Sequence, residues 1–196
     1  MPQTNTKPTK IMIIRHAEKP AQPPPPNGVD IDGCQNKDSL IPQGWQRAGA
    51  LATLFAPSRG PLQDPNLATP KYIYATKSPD PQEGNRPEQT VTPLAAKLQM
   101  KPNFSFKKGK EEKVVESALC CDGVVLISWP HGRIPTLAGY IPLSPKSQPL
   151  PKGKWPGNRF DMVWVFDYDT RSRKGGYIFC QVPQLLLAGD SSEPIT

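Results

Sequence analysis

Histidine is almost absent from this chain of 196 residues, which has only two, His16 and His131. Any imidazole chemistry therefore falls to those two positions, and a metal centre built on several histidines is excluded. Cysteine is sparse as well. The four, Cys34, Cys120, Cys121 and Cys180, show no C-x-x-C spacing and no nearby histidine pair, which excludes the common zinc and redox patterns. Cys120 and Cys121 follow an apolar helical stretch and read as core filling. No apolar run approaches membrane-spanning length, and the first ten residues are polar with no apolar signal segment. A reduced cytoplasmic protein without a membrane partner is expected. The two basic clusters, Lys107-Lys108-Gly109-Lys110 and Arg171-Ser172-Arg173-Lys174, lack the interleaved aromatics of a single-strand stacking surface, so no nucleic-acid partner is expected either.

What the chain has in excess is proline, 26 residues, and positive charge, +7 at neutral pH with a pI near 9.3. Much of the proline lies in loops, above all Pro23–Pro26, and predicts long irregular connections. The charge favours acidic partners, against the plainer reading of a solvated basic surface.

Short β-branched runs alternate with helical patterns over residues 10–140. Ile11–Ile14 reads as a central strand buried on both faces. A loop rich in Pro, Gly, Asn and Asp follows, from Pro20 to Gln43. Gly44 then opens a helix with Ala48, Leu51, Ala52 and Phe55 on one face, closed by Pro57 and Gly60. Lys71–Lys77 is the second strand, and Ser78 to Asn85 a short loop. Arg86 starts a helix reaching about Leu98, kinked at Pro93. Asn103–Lys108 reads as a short alternating strand, Glu111–Cys121 as a helix, Val124–Trp129 as another central strand and Ile134–Tyr140 as a short helix. Phe160–Tyr168 and Gly176–Val182 form a strand pair around a basic turn. The class is α/β, with helices on both faces of a mostly parallel sheet. One domain is expected over 1–196, with a flexible N-terminus over 1–9 and an extended tail over 183–196.

Each histidine stands where an apolar strand runs into a loop, in Ile14-Arg15-His16-Ala17 and in Trp129-Pro130-His131-Gly132-Arg133. Open α/β sheets bind ligands at the carboxyl ends of their strands. Imidazole can serve there as neutral nucleophile or cationic donor near pH 7. An Arg beside each His suits an anion that reacts with one of them.

These segments, taken in order, resemble the histidine phosphatase superfamily, the phosphoglycerate mutase-like branch 1. Arg15-His16-Ala17 matches its first motif. Arg86-Pro87-Glu88-Gln89-Thr90, with Pro93-Leu94-Ala95 after it, matches its Arg-x-x-Gln-Thr helix start. His131-Gly132 matches its third, and Gly44-Trp45-Gln46-Arg47-Ala48 is similar to its Gly-x-x-Gln-Ala stretch with the last polar position altered. The resemblance covers residues 10–140. It implies a three-layer α/β/α sandwich and a phosphatase that needs no metal or cofactor, acting on a phosphorylated small molecule or a phosphoprotein. His16 would be the nucleophile, forming phosphohistidine and passing the group to water. Arg15, Arg86 and a protonated His131 would bind the phosphoryl oxygens. A phosphoglycerate-mutase-type phosphotransferase and a non-catalytic phosphate-binding module are the alternatives.

The resemblance also implies a proton donor, a Glu some 25 residues after the second Arg, and Glu111 falls there, with Glu112 second. Both also stand at a predicted helix start, where Glu is favoured with no catalytic role. Lys19 and Arg133 depart from the family's usual smaller residues and are candidates for a further substrate anion or for rim charge. Pro20–Gln43 and Pro142–Asn158 are the expected substrate-shaping loops. Trp45, Trp129 and Trp155 read as packing residues.

Overall fold

The computed structural model describes residues 7–76 and 86–196; the expected loop over 78–85 and the end of the second strand at Lys77 lie outside them. Five strands form one open sheet: β1 (Pro8–Arg15), β2 (Tyr72–Ala75), β3 (Gly123–Trp129), β4 (Met162–Tyr168) and β5 (Tyr177–Pro183), in the order β2-β3-β1-β4-β5. β1 pairs parallel with β3 and β3 with β2, whereas β4 runs antiparallel to both β1 and β5. The sheet is therefore mixed rather than mostly parallel. The parallel half is made by helical crossovers. The antiparallel half follows from the basic turn, which is short enough to return β5 directly alongside β4.

Four helices join the strands: α1 (Pro42–Phe55), α2 (Arg86–Lys97), α3 (Glu111–Leu119) and α4 (Ile134–Gly139). The period-two alternation of the strands divides the core. Ile11, Ile13, Val125, Ile127, Trp164 and Phe166 face α3 and α4. Met12, Ile14, Leu126, Val163 and Val165 face α1 and α2. Both layers are almost free of solvent, which is why β1 and β3 read as unbroken apolar runs.

α1 begins two residues earlier than the glycine signal, with Pro42 in its first turn, where a missing N–H costs nothing. Gly44 is required by close approach. A Cβ there would meet the Glu18 carbonyl at 2.5 Å, so only glycine lets α1 start against the loop after β1. α2 runs through Pro93, and Thr92 Oγ1 donates to the Glu88 carbonyl at 2.9 Å. β1 starts at Pro8, inside the segment expected to be flexible.

The expected strand over Asn103–Lys108 does not form. Asn103 alone bridges to β2, donating its N–H to Ile73 and accepting from Ala75. Its side chain then accepts the Ser105 N–H at 2.9 Å, and that Asx turn takes the backbone away from the ladder. The tail beyond β5 has neither helix nor strand, yet it is tied down. Asp190 bonds Arg47, Asp161 accepts from Ser191 N–H, and Gln181 exchanges two bonds with Ile195. No helix among the described residues is long and apolar enough to cross a membrane.

Candidate active site

The register places Arg15 directly opposite Trp129 at the carboxyl ends of β1 and β3. A further backbone bond, from His16 N–H to the Trp129 carbonyl, carries the pairing one residue beyond β1. His16 and His131 thus leave adjacent parallel strands side by side, and their rings meet edge to face with centroids 6.4 Å apart. The site lies between β1 and β3, whose following helices, α1 and α4, cover opposite faces of the sheet, the switch-point position of open α/β sheets.

His16 is buried, and its Nδ1 lies 2.7 Å from the Ala17 carbonyl. A carbonyl only accepts, so Nδ1 carries the proton and Nε2 keeps its lone pair. Burial lowers the His16 pKa to about 3, assisted by the charges of Arg15, Arg86 and His131 and opposed by the Ala17 bond. At neutral pH the ring is an uncharged base with one nitrogen free.

The loop holding it is latched from α2. Ala17 N–H donates to Thr90 Oγ1 at 2.8 Å, and Thr90 in turn donates to the Arg86 carbonyl at 2.7 Å. Gln89 spans to the other loop, accepting from Leu40 N–H and donating to Ser39 Oγ. On the far side, Ile41 N–H donates to the Glu18 carbonyl, and buried Arg47 grips the Glu18 carboxylate at 2.8 Å and that of Asp190 at 2.6 Å.

Arg15 is 1% exposed. Its Nη1 donates to the carbonyls of Pro156, Gly157 and Arg159 at 3.2, 2.9 and 2.8 Å, and its guanidinium lies 3.6 Å over the ring of Phe160. Its Nε and Nη2 are buried and have no hydrogen-bond partner among the described residues. Burial pulls its pKa down to about 10, with the Glu18 charge opposing. A fixed cation with two unmatched N–H groups is a preformed half of an anion site. Phe160 touches both members of the pair, since the His16 ring also meets it edge-on at 6.2 Å.

Arg86 opens α2 and is held by loop carbonyls, donating from Nη2 to Lys37 at 2.8 Å and from Nε to Ser39 at 3.3 Å, with Asp38 3.7 Å away. Burial lowers its pKa, and its charge is felt at both His16 and Lys19. His131 begins a short 3-10 turn, half-buried. Burial, then Arg15, Lys19 and Lys108, lower its pKa to about 4. With only protein groups around it, His131 is neutral at pH 7, so the protonated role expected of it requires an added negative charge.

The structure thus brings Arg15, His16, Arg86 and His131 together, with exposed Lys19 at their edge. It leaves Glu111, Glu112 and Arg133 aside. Glu111 is buried at the start of α3. There its Oε1 accepts the Gly109 N–H at 2.9 Å and the Trp129 indole N–H at 3.2 Å, with Arg133 Nε at 4.0 Å. Burial alone would raise its pKa, but those bonds and the Arg133 charge outweigh it and hold the carboxyl ionised, below its usual range. Glu112 is exposed, and the exposed Arg133 points its charge at Glu111.

Sequence reasoning singled out neither Phe160, nor the carbonyls of Pro156, Gly157 and Arg159, nor Lys108, whose charge reaches His131. The signals for them were the basic run around Lys108 and the expected substrate-shaping loop Pro142–Asn158, which holds Pro156 and Gly157. No protein-family model matches the chain, and no curated protein matches it.

Proposed function

We propose that this chain is a phosphatase that works through a phosphohistidine on His16, in the manner of the histidine phosphatases its motifs resemble. The helices on both faces of the sheet agree with the α/β/α sandwich of that family. One observation carries the reading: a neutral, tautomer-fixed His16 beside a buried Arg15 whose Nε and Nη2 have no partner among the described residues. A phosphoryl group supplies acceptors for both donors and an electrophile for the free Nε2.

In the first step Nε2 attacks phosphorus and the bond from phosphorus to the leaving oxygen breaks in line with it. Arg15 and Arg86 neutralise charge on the equatorial oxygens. The arriving dianion raises the His131 pKa, so that His131 binds a proton and becomes a third donor. Water then attacks the phosphohistidine, releasing inorganic phosphate and returning His16 to its neutral form. Glu111 is ionised and bonded within the protein, so leaving groups that depart without full protonation, such as aryl oxygens, are favoured.

The test is hydrolysis of p-nitrophenyl phosphate in the presence of a chelator. Turnover that survives chelation and disappears in His16→Ala supports the reading. Phosphate binding without turnover on any aryl, acyl or phosphoramidate compound overturns it in favour of a binding module.

A further inference from the structure

Beside the four residues of the candidate site, the proline-rich loop forms a cleft of about 320 Å³ whose walls include Lys19, Gln22, Asn27, Lys37, Asp38 and Arg86. The loop closes on itself to make this wall. Val29 N–H donates to the Leu40 carbonyl and Asn36 N–H to the Gly28 carbonyl, and a Cβ on Gly28 would meet the Asn36 carbonyl at 2.3 Å. Arg86 belongs to both places: it lines the cleft, and its charge acts on His16.

The charges in it do not balance. Lys19, Lys37 and Arg86 face a single carboxylate, Asp38, which Arg86 already approaches. Lys19 makes no ion pair among the described residues, and it lies in the fields of Arg86 and Arg15 while adding its own to His131. Lys19 lies in the repulsive field of Arg86, with Lys37 lining the same cleft, and a second negative group on the ligand would offset that repulsion.

The geometry also limits how far apart the two anions can be. Lys19 is three residues after His16, so their Cα atoms are within about 10 Å even for extended chain. A cleft of this size admits a small ligand and not a folded protein surface. We infer that the substrate of the phosphatase proposed above is a small phosphomonoester carrying a second anionic group, which Lys19 and Lys37 take in the cleft while Gln22 and Asn27 meet the polar spacer.

The inference rests on the phosphatase reading for which group reacts, but binding tests it without turnover. Propylphosphonate, propane-1,3-bisphosphonate and 4-phosphonobutanoate are titrated calorimetrically into the wild-type chain and the Lys19→Met/Lys37→Met double variant. The wild type should bind the bisphosphonate or the phosphonobutanoate about tenfold or more tightly than the monophosphonate, from two partly screened ion pairs. Whichever of the two binds more tightly identifies the second group as phosphate or carboxylate. In the double variant the advantage should fall below about threefold, while thermal unfolding reports whether the variant is folded. Equal binding of all three by the wild type, or an advantage that survives in a folded double variant, overturns the subsite. Failure to hydrolyse aryl phosphate with the dianion preference intact would instead refute the catalytic reading and leave the subsite standing.

Discussion

Replacing Arg15 by Met separates a functional cation from a structural one. A guanidinium whose pKa burial pulls down from its ordinary value to about 10 carries a penalty of about 3 kcal/mol, which the substitution removes. Against that gain stand the bonds from Nη1 and the contact with Phe160. Pro156 keeps the Arg159 N–H and the Arg159 carbonyl keeps the Trp155 indole N–H, so only the Gly157 carbonyl is stripped of its partner. That costs about 1–3 kcal/mol, and the lost cation–π contact about 1–2 kcal/mol more. The terms nearly cancel, and stability in phosphate-free buffer should change by less than about 2 kcal/mol. Ligand response should not survive. With phosphate at about 100 times its Kd the wild type gains about 2.7 kcal/mol, a rise in Tm of roughly 5–10 °C for a chain of this length. Arg15→Met should show almost none of that shift. Thermal melts with and without phosphate read both quantities. A loss above about 4 kcal/mol without phosphate, or a retained phosphate shift, would refute the account of Arg15 as an anion-binding group.

Further outcomes follow from the same site. An unfolded histidine titrates near 6.5 and folded His16 near 3, so between those values the unfolded chain holds the extra proton. Stability should therefore fall as pH drops below 6.5, by at most about 1.4 kcal/mol per pH unit for this group. Urea midpoints from pH 7 to 4.5 should show the decline flattened in His16→Gln, and a pH-independent wild type would contradict the buried neutral ring. Glu111→Gln keeps an acceptor for Trp129 and should change kcat/KM on aryl phosphate by less than about fivefold. A hundredfold loss confined to alkyl phosphates would make Glu111 the proton donor after all. Asp190→Ala breaks a buried pair with Arg47 and should cost about 3 kcal/mol in denaturant unfolding. A cost below about 1 kcal/mol would show that the tail does not brace the His16 loop.

The parts of the fold that were legible in the sequence are those with local causes. Ile11–Ile14 and Val124–Trp129 announce β1 and β3 because both faces are buried, and α2 is announced at Arg86 by Pro87 and Glu88 in its first turn. The grouping of Arg15, His16, Arg86 and His131 followed from motif order. Asn103–Lys108 has an alternating pattern, but the Asx turn at Asn103 competes with it, and pattern alone does not weigh that contest. Phe160 and the carbonyls of Pro156, Gly157 and Arg159 reach Arg15 across more than 140 residues, and backbone carbonyl acceptors leave no mark in side-chain identity. The mixed sheet was hidden for a similar reason, since β4 takes its place beside β1 through core packing rather than through any feature of its own sequence.

The most direct test of the account is to mix the protein with an excess of ³²P-labelled aryl phosphate, stop the reaction with alkali within milliseconds, and map the label by mass spectrometry. A phosphoryl group on His16, acid-labile and alkali-stable, absent from His16→Ala and chased by unlabelled substrate, is the predicted result. Turnover with no label on the protein, or label on His131 in place of His16, would contradict it.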